Sequence, residues 1–129
     1  MSAIKRPLAD DVIHVDLAAE TFRITRSEPL TRSGRTARTL VKDGPLRVTL
    51  ISLAPGAVIA EHRAEGPVTI QAVYGVVQVR AGDGSWLLEQ GEMVALASGV
   101  PHAVETAQGG AFLLTLVAKE RAAAPTGEE

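Results

Sequence analysis

From Thr36 onward the chain is cut into short apolar runs by turns that carry Gly or Pro, and this punctuation limits the fold more than any other feature. Asp43-Gly44-Pro45, Pro55-Gly56, Gly82-Asp83-Gly84, Gln90-Gly91 and Ser98-Gly99 each break the pattern, because Gly tolerates positive φ and Pro presets its own. Between them the runs alternate with period two: Leu46, Val48 and Leu50 interleave with Arg47, Thr49 and Ile51, and Val77 and Val79 with Gln78 and Arg80. The expected strands are 36–42, 46–51, 58–62, 67–74, 77–80, 86–89, 93–97, 100–106 and 111–117. Eight or nine strands at spacings of about eight to twelve residues predict an all-β sandwich or closed barrel.

The segment before Thr36 reads differently. Residues 1–10 are expected to be a loose arm, and 12–15 a short edge strand. Asp16 is placed to cap one or two helical turns through Ala18, Ala19 and Glu20. Pro29 to Gly34 is expected to be a loop. The division is therefore an N-terminal arm and loop at 1–35 packing on the barrel, the barrel at 36–118, and a disordered tail at 119–129. With 129 residues, 46% of them hydrophobic, the chain suits one domain with a real core.

Composition excludes several chemistries. There is no cysteine, so disulfides, thiolate catalysis and Cys-ligated zinc or iron–sulfur centres are ruled out. No run approaches the ~18 apolar residues of a membrane span, and Lys5, Arg6, Asp10 and Asp11 leave no room for a secretory apolar segment, so no membrane is expected and the cytoplasm is the expected location. Net charge is −2, but residues 1–47 carry nine Lys/Arg against six Asp/Glu, and residues 48–129 four against nine. The excess concentrates at Arg23, Arg26, Arg32, Arg35 and Arg38. Only Phe22 lies nearby, and nucleic-acid binding calls for interleaved aromatics or a known module, so this is read as a solvated or partner-facing arginine face and no nucleic acid is expected.

Two segments carry the chemistry: Gly56 to Gly75, with His62, and Gly91 to Thr106, with His102. They resemble the paired motifs of the cupin superfamily over about residues 45–118. Gly56, His62 and Gly75 match the first motif; Ala64 stands where its second His belongs and Val68 where its Glu belongs. Gly91, Gly99 and His102 match the second; Ala97 replaces its Pro and Thr106 its Asn. The resemblance implies a double-stranded β-helix, an RmlC-like jelly roll, whose histidines and glutamate hold a divalent metal in the barrel. Here only half of that ligand set is present, so the metal site reads as degenerate. By strand alternation His62 and position 64 share the inner face, with Glu61 and Arg63 outside.

The expected site is therefore a barrel interior lined by His62, His102, Gln71 and Tyr74, binding a small organic ligand without cofactor. The alternative is a metal-dependent dioxygenase, isomerase or decarboxylase. It would hold Fe, Mn, Zn or Ni through His62 and His102, with a third ligand from Gln71, Glu65 or His14. Gln71 has the wrong parity relative to Val68 unless a bulge intervenes, and Glu105 the wrong parity relative to His102. A third possibility is a solidly filled barrel acting as an interaction protein. The histidines read equally as neutral, hydrogen-bonded polar groups in an apolar barrel. Arg63 and Glu65 are positioned for an ion pair at the mouth. Phe112, Leu114 and Leu116 form one face of the last strand and Leu113, Thr115 and Val117 the other; both are largely apolar, and one is expected to line the barrel while the other packs against something such as a second subunit, giving a homodimer.

Overall fold

The computed structural model describes residues 12–119. Two short helices precede nine strands: α1 (Leu17–Ile24), α2 (Glu28–Ser33), β1 (Arg35–Asp43), β2 (Leu46–Leu53), β3 (Val58–His62), β4 (Val68–Gly75), β5 (Val77–Ala81), β6 (Gly84–Leu88), β7 (Met93–Leu96), β8 (His102–Glu105) and β9 (Gly110–Val117). The predicted strands from β1 on are all present, each shifted by a few residues at most.

The N-terminal expectations fare less evenly. Asp16 does cap α1, its carboxylate accepting the Ala19 N–H at 3.1 Å. No strand forms at 12–15, where the chain is irregular and Val15 packs with Leu17 of α1 against the cluster of Ile24, Leu40 and Leu50. The expected loop at Pro29–Gly34 is a helix instead. Pro29 lies in its first turn, where a missing N–H costs nothing, and Gly34 ends it at φ 86° with its N–H donated to Leu30 O. The same two residues that mark a break also mark a beginning and an end. The loose arm at 1–10 lies outside the described residues, as does the expected tail beyond Lys119, whose own N–H is held by Glu65 O.

The strands form two antiparallel sheets, one in the order β1-β2-β9-β4-β7 and one in the order β3-β8-β5-β6. This is the expected all-β cupin jelly roll. The inner faces close on a single apolar cluster that includes Leu53, Val68, Ile70, Val77, Val79, Val104 and Phe112, with Leu114 and Leu116 packed against it. Several of these side chains are inaccessible to solvent, so closely packed hydrocarbon fills much of the barrel. A second cluster lies outside the five-stranded sheet, where Ile24 of α1 covers Leu40 and Leu50 with Leu113 against them. Leu113 on the outer face of β9 thus packs beneath the chain's own N-terminal helix.

Candidate functional site

β3 and β8 pair so that Ile59 faces Val104 and His62 faces His102. Three steps along β3 match two along β8, so β3 carries one extra residue. The bulge reverses the parity of His62. Without it, His62 would lie on the face opposite Ile59; with it, both share a face with Val104 and His102. The rings of His62 and His102 are in contact, with centroids 4.4 Å apart and planes tilted by 58°. His102 is buried, at 3% exposure, whereas His62 is exposed, so the pair closes one end of the barrel with its inner member in the core.

Both imidazoles are oriented by the same device. His62 Nδ1 lies 3.1 Å from Ala60 O, and His102 Nδ1 lies 3.0 Å from Val100 O. A carbonyl oxygen only accepts, so each Nδ1 carries the proton and, in the neutral ring, each Nε2 keeps its lone pair. Neither Nε2 has a hydrogen-bond partner among the described residues. The approach to His102 is fixed by the turn before it. Gly99 takes a positive φ of 83°, and its N–H reaches across to Ala64 O at 3.0 Å, tying the segment after β3 to the one before β8.

The other motif positions serve the scaffold. Thr106, buried at 3% exposure, donates its hydroxyl to Val76 O at 2.7 Å and accepts the Gly109 N–H at 2.9 Å. It thereby locks the end of β8 to two neighbouring turns. Gly75 has φ 65°, and a Cβ there would run into Gly109 O, so the position needs glycine on both counts. Ala64 is half-buried against the core, and Val68, at 4% exposure, lies opposite Leu116 and Leu96 inside it. Neither offers a donor atom, and among the described residues no third His, Asp or Glu joins the pair. Two imidazoles beside two alkyl side chains do not match the three-His, one-Glu set that the resemblance implies.

Gln71 and Tyr74 are not in the barrel interior, contrary to expectation. Gln71 shares the outer face of β4 with Val73, donates Nε2–H to Gly91 O at 3.3 Å, and lines a cleft under α1 together with Tyr74. The bulge in β4 falls between Ala72 and Tyr74, too late to turn Gln71 inward. His14 is exposed in the segment before α1. Glu65 is exposed too, and Arg63 and Glu65 form no ion pair with each other. Arg80 and Glu105 do form an ion pair, at 3.1 Å on the outer side of the four-stranded sheet. Sequence reasoning missed the β3 bulge and the carbonyls of Ala60 and Val100. The bulge falls in Ala60-Glu61, which contains no glycine to announce it.

No family model matches the sequence, and no curated protein is significantly similar to it. Solved structures do match. A conserved protein of unknown function from Streptococcus pyogenes is similar over 94% of this chain and 98% of its own, at 21% identity and a TM-score of 0.66. An RmlC-like cupin from Shewanella frigidimarina covers 67% of this chain and 79% of its own, at 22% identity and a TM-score of 0.63. Salicylate 1,2-dioxygenase from Pseudaminobacter salicylatoxidans matches 80% of this chain and 34% of its own, at 18% identity and a TM-score of 0.69. The chain has the cupin fold. Within that fold it is a small barrel with a paired-imidazole end and an apolar filling.

Proposed function

We propose that this chain is a small-ligand-binding cupin whose site is the His62–His102 pair at the end of the barrel. The observation that carries the reading is the common orientation of the two rings, each with Nδ1–H spent on a carbonyl and Nε2 left unpartnered. Two lone pairs on contacting rings suit a small molecule that presents O–H or N–H donors. The apolar cluster behind them supplies the dry wall against which such hydrogen bonds gain strength.

The test is thermal unfolding of chelator-treated protein against a panel of small hydroxy and amino compounds. A ligand at 100 times its Kd stabilises by about 2.7 kcal/mol. A saturable rise in Tm that disappears in the His62→Ala, His102→Ala double variant supports the reading. A rise that persists in the double variant, or none across the panel, overturns it.

A second reading has its own support. Spending Nδ1–H on a backbone carbonyl is how metal-bound histidines are commonly oriented, with Nε2 facing the ion. Protein purified without chelator or affinity tag would then carry near-stoichiometric Fe, Mn, Zn or Ni by mass spectrometry, and would lose it in the same double variant.

A further inference from the structure

The five arginines concentrated between residues 23 and 38 do not behave alike. Arg23 and Arg38 both reach Glu20, at 2.8 and 3.4 Å, and Arg32 lies 3.8 Å from Glu28. Arg26 instead stacks on Phe22, its guanidinium carbon 3.8 Å from the ring centroid. Its side chain has no ion-pair or hydrogen-bond partner among the described residues.

This guanidinium lies on a cleft of about 590 Å³ between α1 and β4, whose walls include Phe22, Thr25, Gln71 and Tyr74. A second cleft of about 550 Å³ shares Thr25, Arg26 and Tyr74 with it, so the groove continues past the guanidinium. Phe22 and Tyr74 are both more than half exposed, at 58% and 53%. A third cleft, on the outer side of the four-stranded sheet, is also lined by an arginine, but there Arg80 is already paired with Glu105.

We propose that the α1–β4 cleft is a binding site for a small aromatic carboxylate, with Arg26 as its anion receptor. Stacking on Phe22 fixes the plane of the guanidinium and leaves its edge N–H groups unspent, the geometry for a two-pronged bond to a carboxylate. The exposed rings of Phe22 and Tyr74 supply apolar wall for a planar body, and the volume falls in the usual range of small-molecule sites. The hydroxyls of Thr21 and Thr25 are already donated to helix carbonyls and Gln71 to Gly91 O, and Arg26 is the one cationic side chain among the described residues that line the cleft, so it chooses the ligand's charge. The site is separate from the imidazole pair and does not depend on how that pair functions.

The probe is 2-naphthoate, with 2-naphthamide as its uncharged match, titrated into the full chain by calorimetry. Saturable binding of one naphthoate per chain is expected, weaker by about tenfold or more for the amide, which is about 1.4 kcal/mol or more. Arg26→Gln should weaken naphthoate by at least about tenfold, and Phe22→Leu should weaken it as well, with circular dichroism unchanged in both. The His62→Ala, His102→Ala double variant should bind naphthoate like the parent chain. Failure of the parent chain to saturate, equal affinity for acid and amide, or retention of affinity in Arg26→Gln would each overturn the proposal. So would loss of binding in the histidine variant, which would move the ligand to the barrel end. The amide comparison needs no substitution and therefore holds even if a variant folds poorly.

Discussion

The outer faces of the two sheets solve the same problem in opposite ways. The five-stranded sheet turns Leu40, Leu50 and Leu113 outward, and α1 lays Ile24 over them, so that Leu50 is wholly buried. Among the described residues, the four-stranded sheet has no such cover. Its outer side carries Val58 and Leu87, 53% and 64% exposed, among Gln78, Arg80 and Glu105. A face with a helix to pay for it can be hydrocarbon; a face without one is diluted with charge and amide. The helix is therefore a working part of the barrel, and one face of the α1–β4 cleft exists because of it.

That contrast can be broken experimentally. Leu50→Ala removes a fully buried side chain from beneath α1 and should cost about 2–5 kcal/mol, measured by urea unfolding. A cost below about 1 kcal/mol would mean that the helix does not seal this face. Thr106→Val strips the hydroxyl shared by Val76 O and Gly109 N–H; leaving both half-buried partners unmet should cost about 1–3 kcal/mol in the same assay. Asp16→Ala should cost about 1 kcal/mol by unfreezing the start of α1, with hydrogen exchange rising first in 17–20. On the uncovered sheet, Leu87→Ala should shift stability by no more than about 0.5 kcal/mol. A large loss there would show that something covers that face in solution.

The strands were legible because their causes are local. Gly82-Asp83 joins β5 to β6 as a two-residue turn, with Ala81 opposite Gly84, and period-two alternation survives in the faces of β2 and β9. Parity placed Gln71 and Glu105 off the histidine face, and both lie there, Gln71 under α1 and Glu105 bonded to Arg80 on the outside. The placement of Tyr74 and Gln71 in a cleft outside the barrel was not legible, since nothing local says that a helix from far upstream creates a cleft around them. Pro29 and Gly34 misled because a breaker and a terminus use the same residues. The meeting of His62 with His102 was expected, yet the register that achieves it was not: the offset in β3 is a tertiary property of its pairing with β8.

The offset in β3 makes the imidazole pair a matter of strand register as much as of side-chain identity. Regular alternation over the present three-residue spacing from Ile59 would put the outer ring on the solvent side, whereas deleting one residue between Ile59 and His62 would remove the offset and leave the ring opposite His102. Any attempt to graft a further donor onto β3 must count its frame from His62, on the far side of the offset, and not from Ile59.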